Sequence, residues 1–344
     1  MTSRTAIWIL TCLLGCLVGL FAACRPDSSA SPAIEVTRTD DVIRLVNPVM
    51  DVIIQLPIGD IGYNGGSRFE QSGMVSSVVV EGDEFIGHIH DGEDPWARDE
   101  QGGLVSEFWD PVGYEVAAVG EPFLKIGVGL LKRLNDGPYI FHKPQEVIRF
   151  LPWEIETDAD TGSAVFTQVL EGGPGGWGYR YTKTVSIDLL QAILVIRHEL
   201  ENTGSAPLAS RYYCHHFFRI NDRPVGPAYQ LELPFTPTGG TADFASGKLV
   251  VDGRRLHVAE PMAGSGTLFT MLEGFGDGPE ANGFRLQLGD AGPAVAVSGD
   301  HPIDGFTLWI HPNAFCPEPF VPIAVEPGAT QIWTDTYRFT PGAG

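Results

Sequence analysis

The sequence predicts an all-β chain, a large antiparallel β-sandwich made of two wide sheets. Glycine and proline number 42 and 26 among 344 residues and are spread almost evenly, so the chain is punctuated by turns along its whole length. Between them stand short runs in which every second residue is apolar, the period of a strand with one face in a core. No stretch longer than about three turns carries a helical period. No fixed-period repeat points to a propeller or solenoid either.

In chain order the expected strands are 42–46, 49–56, 75–80, 146–150, 164–170, 179–187 and 192–201, followed by 211–220, 229–233, 256–258, 268–272, 284–288, 294–298, 306–310 and 331–339. The run 179–187 shows the pattern: Tyr179, Tyr181, Val185 and Ile187 alternate with Arg180, Thr182, Thr184 and Ser186. Asn202-Thr203-Gly204 closes the strand before it and turns the chain into 211–220, using the residue types that tolerate tight turns. No Ser/Pro/Gly-rich linker interrupts 41–341, so one domain is expected there. The segment Gly172 to Gly178 lacks the Lys-Ser/Thr ending of a phosphate loop. It reads as a hairpin tip carrying Trp177 as an exposed aromatic.

The N-terminal segment has the form of an export signal over 1–23: Arg4, then an apolar run from Ala6 to Ala23 broken only by Thr11, Gly15 and Gly19. It is short for a membrane span of about 20 residues. Phe21-Ala22-Ala23-Cys24 resembles a bacterial lipoprotein cleavage box, which makes Cys24 the expected lipidated residue. Residues 24–40 begin with a Ser/Pro/Ala-rich stretch and read as a flexible tether. The expectation is an exported body held at the periplasmic or cell-surface face of a membrane by its lipid. A formal charge of −21 argues against nucleic acid as a partner. Of five cysteines only Cys214 and Cys316 lie beyond the first 24 residues, and they are expected as buried thiols, with Cys214 and His215 on opposite faces of a strand.

Two motifs carry chemistry. Tyr212-Tyr213-Cys214-His215-His216-Phe217-Phe218 presents an imidazole in an aromatic strand, and Cys316-Pro317-Glu318-Pro319 sets a carboxylate between two prolines in a late loop. Order and surroundings resemble the galactose-mutarotase superfamily, the aldose 1-epimerases and their relatives. That resemblance implies a supersandwich fold and a carbohydrate substrate. It also implies interconversion of the α and β anomers of a free sugar or a saccharide reducing end, without a cofactor, with His215 as acid and Glu318 as base. His216 is expected to be structural. The Asn-Arg pair and Leu-His-Gly-Gly loop that bind substrate in well-studied aldose 1-epimerases do not appear, and Arg133 and His142 are the candidates to replace them. Glu107, Trp309 and His311 are further candidates for sugar contact, because carboxylates bind hydroxyls and rings stack on pyranose faces. Two rival readings remain open: a polysaccharide lyase or glycoside-cleaving enzyme on the same scaffold, and a glycan-binding lipoprotein without activity. His88 and His90 form an H-x-H pair, half of a metal site on a strand; no further ligands are identifiable from spacing, and no metal is expected.

Overall fold

Two ten-stranded antiparallel sheets face each other in the computed structural model, which describes residues 33–89, 102–239, 246–264 and 266–343. The first runs, edge to edge, through Glu35–Arg38, Val42–Val46, Met50–Gln55, Met74–Val80, Leu104–Phe108, Leu208–His216, Ala314–Val325, Gly305–His311 and Leu268–Met271, with Asp83–Glu84 paired beside Met74–Val80. The second runs through Trp153–Asp158, Ser163–Leu170, Tyr179–Ile187, Ile193–Asn202, Thr330–Thr340, Ala294–Gly299, Gly283–Leu288, Tyr229–Glu232, Arg255–Val258 and Leu249–Asp252. A three-stranded sheet of Pro122–Lys125, Gly129–Lys132 and Glu146–Phe150 covers a small apolar cluster of its own, around Tyr114, Phe123 and Leu131.

Alternation explains the layering. Ile193–Asn202 buries every second residue over its whole length, and Tyr179–Ile187 does the same. Those residues meet the inward residues of the first sheet: Phe108 packs edge-on against Tyr181 at 5.2 Å and Trp333 at 6.1 Å. Burial of this interior is the main favourable term for the fold.

A polar chain crosses the same layer. Ser106 Oγ donates to Tyr212 OH (3.1 Å), Tyr212 OH to His198 Nε2 (2.9 Å), His198 Nδ1–H to Tyr181 OH (2.8 Å) and Tyr181 OH to Glu70 (3.2 Å). The carboxylate accepts only, and this sets the direction of every bond before it. Satisfied in this way, the buried groups link the two sheets without the cost of an unpaired polar atom.

Three expectations are corrected. Glu35–Arg38 lies inside the expected tether yet pairs along its length with Val42–Val46, so the ordered body begins before residue 40. Cys24 and residues 1–23 lie outside the described residues. The expected late loop around Glu318 is the 12-residue strand Ala314–Val325, although Pro317, Pro319 and Pro322 lie within it. Trp177 is 8% exposed and packs in the main core. A Cβ at Gly113, where φ is +83°, would stand 2.0 Å from its ring, so glycine there makes room for the indole.

Burial also sets how stability depends on pH. Burial, with the nearby Lys183 and Arg197 charges, holds His198 well below the ordinary imidazole value, and burial brings His216 down to about 4. Their neutral forms stabilise the fold fully above about pH 6.5, and this contribution is lost as pH falls toward 4. Asp335 works in the opposite sense. Burial, assisted by the Asp300 charge, pushes its carboxyl up to about 7, so its contribution is present below the ordinary carboxyl value and is lost as pH rises through 7. Asp335→Asn should therefore stabilise the protein by about 1–2 kcal/mol at pH 8 and by much less at pH 4. Urea unfolding at the two pH values checks this; an equal effect at both would show that the buried charge is not the cause.

Candidate active site

The strand Leu208–His216 divides its side chains between two environments. Tyr212, Cys214 and His216 face the inter-sheet core, where His216 Nδ1–H donates to the Pro317 carbonyl (2.6 Å) and Nε2 accepts from Tyr337 OH (3.1 Å). Tyr213 and His215 face outward, with Phe217 following on the same side. The His215 ring is held by other rings: it stacks on Phe217 at 4.1 Å and meets Trp309 and Phe69 edge-on at 5.4 and 5.7 Å. Burial, the Arg68 guanidinium and His216 hold its imidazole well below the ordinary value.

Glu318 reaches the same place from the neighbouring strand. Ala314–Val325 pairs with Leu208–His216 only from Tyr212↔Val321 to Leu208↔Val325, and with Gly305–His311 from Gly305↔Phe320 to His311↔Ala314. Its odd-numbered residues direct their backbone groups to the histidine strand, as Phe315 N does in donating to Phe218 O (2.9 Å). Pro317 and Pro319 are odd, so the ladder opens at positions whose residues have no N–H to place. Counting on from Tyr212↔Val321 sets His215 opposite Glu318. Their side chains approach to 3.2 Å between Nε2 and Oε1, 3% and 4% exposed. Thr307 Oγ1 donates to the other carboxylate oxygen, Oε2, and fixes its orientation.

A third charged group enters from an irregular buried segment. Arg68 donates from Nε to Glu107 (2.8 Å) and from Nη2 to Tyr213 OH (2.8 Å), and its guanidinium lies 4.4 Å from the Phe69 ring and 4.7 Å from that of Phe141. Lys125 Nζ meets the other Glu107 oxygen at 2.8 Å. Burial works to raise the Glu107 pKa, but Lys125 and Arg68 outweigh it and hold the carboxyl below its ordinary value. The segment itself is tied down by Glu70, whose carboxylate meets Lys183 of the second sheet, and by Glu70 N, which donates to Ser106 O (3.0 Å).

His215, Glu318 and Arg68 line one cleft of about 1110 Å³, with Trp109, Phe141, His142, Phe150, Phe269 and Trp309 around its sides. His215, Glu318, His142 and Trp309 thus come together. His311 stacks on the far side of Trp309 at 5.6 Å, its Nδ1 accepting from Asn313 N (3.1 Å), and is not among the lining residues. Two expected substrate contacts are elsewhere. Glu107 is fully buried behind the cleft wall, because two cations and a tyrosine hold it as their shared acceptor. Arg133 donates to the carbonyls of Tyr114 (3.0 Å) and Ala117 (2.7 Å) and lies over the Tyr114 ring at 4.8 Å, which makes it the clamp of a turn. Arg68, which does line the cleft, was not singled out in the sequence.

Cys214 and Cys316 are buried and form no disulfide. Cys214 belongs to the inter-sheet core and Cys316 to a cluster on the outer face with Phe217 and Phe69. His90 lies outside the described residues; among those described, no group of three or more metal-ligating side chains occurs.

No family model matches the chain, and no curated protein matches it in sequence. Solved structures do share its architecture. The Slr1438 protein of Synechocystis sp. PCC 6803 is 14% identical over 90% of this chain and 96% of that one, with a TM-score of 0.55. Galactose 1-epimerase from Lactobacillus acidophilus NCFM is 14% identical over 90% and 100%, with a TM-score of 0.53. A galactose mutarotase-like protein from Clostridium acetobutylicum is 11% identical over 90% and 98%, with a TM-score of 0.52. Identities this low speak to fold alone. With its two wide antiparallel sheets, this chain adopts the galactose mutarotase-like β-sandwich fold.

Proposed function

We propose that the chain is a carbohydrate-active isomerase of the aldose 1-epimerase type, interconverting the anomers of a reducing sugar. The observation that supports this reading is the His215–Glu318 pair, 3.2 Å apart on the floor of an aromatic cleft. A cyclic hemiacetal carries two oxygens on one carbon, and a neighbouring acid and base can serve both at once. Glu318 removes the O1 proton while the His215 imidazolium protonates the ring oxygen, and the C1 to ring-oxygen bond breaks. Rotation about C1–C2 turns the other face of the aldehyde toward the freed hydroxyl. On reclosure that hydroxyl returns its proton to His215 and Glu318 returns one to O1, so the pair ends as it began. Atoms and electrons balance without redox change or group transfer, and no cofactor enters. The half-buried rings of the cleft supply stacking surface for the sugar.

His215→Ala and Glu318→Gln should each lower turnover by at least about 100-fold, with small changes in melting temperature. The pair acts in a single step, so the double variant should lose much less than the product of the single losses. Anomer equilibration followed by proton NMR, corrected for the spontaneous rate, measures both. Full activity in either folded single variant excludes this mechanism; unsaturated or shortened products from the wild type would point instead to a lyase or hydrolase, and binding without turnover to a glycan-binding protein.

The acid role carries a pH signature. Burial and the Arg68 charge hold His215 well below the ordinary imidazole value, so its protonated form is scarce at pH 7 and grows on acidification. In the free enzyme, kcat/KM should still be rising as pH falls below about 6.5, where an ordinary histidine would approach its plateau. A plateau already reached at pH 7 would remove His215 as the proton donor.

We also propose that Cys24 is lipidated and anchors the body at a membrane surface, from the Phe21-Ala22-Ala23-Cys24 box that follows the apolar run. Cys24→Ala should release the protein from membranes with its fold unchanged. A wild-type protein that fractionates as soluble and has no acyl mass would end that reading.

A further inference from the structure

The acid-base pair stands between two aromatic platforms. Trp109 N donates to Arg211 O (2.7 Å), which sets Trp109 beside the histidine strand four residues before His215. Trp309 pairs with Cys316, two residues beyond Glu318 in the opposite direction. Across the sheet they are separated as well, because the order Leu104–Phe108, Leu208–His216, Ala314–Val325, Gly305–His311 places three strand spacings, about 14 Å, between the strand that leads into Trp109 and the one that carries Trp309. Ring contacts mark the line between them: Trp109 to Tyr213 at 5.8 Å, Tyr213 to His215 at 6.2 Å, His215 to Trp309 at 5.4 Å.

The two platforms differ in their distance from the chemistry. Trp309 lies one ring contact from His215, with Phe269, 37% exposed, across from it in the ladder. Trp109 lies two contacts away and carries Phe141 against it at 4.0 Å, and Phe150 lines the same cleft from the three-stranded sheet. The cleft volume of about 1110 Å³ lies just above the range of about 300–1,000 Å³ for sites that enclose a drug-sized ligand. A single pyranose is smaller than such a ligand, leaves most of this space empty and cannot touch both platforms.

We infer that the substrate is a reducing oligosaccharide, its terminal ring against Trp309 at the acid-base pair and its next rings on the Trp109–Phe141 platform. This rests on the reading of the site as an aldose 1-epimerase centre and narrows its substrate class. The reducing ring presents C1 to His215 and Glu318, and the glycan continues toward the three-stranded sheet. Affinity then comes largely from rings that undergo no reaction, and this separates binding from turnover.

The test uses the wild-type protein and two reducing series, α-1,4- and β-1,4-linked glucans from the monosaccharide to the tetrasaccharide, with binding read by calorimetry and anomer equilibration by NMR. In at least one series Kd should fall by about tenfold or more between the mono- and trisaccharide. Trp109→Ala and the milder Phe141→Leu should erase most of that gain, bringing trisaccharide affinity back to within about threefold of the monosaccharide's, whereas Trp309→Ala should weaken every length. Affinity independent of length in both series, with monosaccharides still equilibrated, overturns the oligosaccharide inference and leaves the epimerase reading in place. Length-dependent binding without anomer exchange keeps the oligosaccharide site and overturns the epimerase reading. Should Trp109→Ala fail to fold, Phe141→Leu and the wild-type length dependence decide the matter, and a gain that survives Phe141→Leu unchanged overturns the placement of the second ring.

Discussion

Everything at the site depends on a backbone ladder that stops. Below Tyr212↔Val321 the histidine and glutamate strands are joined by ordinary pairing, and Phe315 N bonds to Phe218 O past the other end of the gap. Between these points, Pro317 and Pro319 offer the histidine strand no backbone donor. One stranded carbonyl, that of Pro317, is taken by His216. The sheet stays closed on both sides of a short opening, and across it an imidazole and a carboxylate meet. Prolines inside a strand usually mark an edge; here they mark an internal seam.

Around that seam, charged side chains do the fastening that regular structure does not. The segment bearing Arg68 has neither helix nor strand, yet Ser67, Arg68, Phe69 and Glu70 are all buried. It is held to the first sheet through Ser106 and to the second through Lys183 and Tyr181. Glu107 sits between Arg68 and Lys125, so two cations share one carboxylate in a water-poor wall. Buried pairs of this kind add little net stability, but removing one partner is costly. Their effect at this site is positional: they fix the guanidinium beside the acid-base pair, and its charge is one reason that His215 stays neutral at rest.

Much of this was readable in advance, for identifiable reasons. Tyr179–Ile187 and Ile193–Asn202 of the second sheet have clean alternation, and 179–187, like 146–150 of the three-stranded sheet, matches to the residue. His215 and Glu318 were found through the residues beside them, a signal independent of where either strand begins. The strand Ala314–Val325 was not readable, because its prolines look like a loop until the missing neighbour is seen. Leu104–Phe108 is buried at every position and so shows no period, and this hid the fact that Glu107 points into a wall. Arg68 escaped for a related reason: in Gly65-Gly66-Ser67-Arg68 nothing local says that an arginine among small polar residues is buried, since its partners are some 40 and 145 positions away.

The two cysteines show what the outward and inward faces of one sheet imply for folding. Cys214 and Cys316 lie on adjacent strands, one in the inter-sheet core and the other in the outer cluster, so the sheet itself stands between their sulfurs. A bridge between them would require one side chain to pass through a hydrogen-bonded layer, which disulfide geometry does not permit. Among the described residues, no oxidant can trap the body by cross-linking this native pair. The layer that carries the acid-base pair is thus also what keeps the two thiols apart.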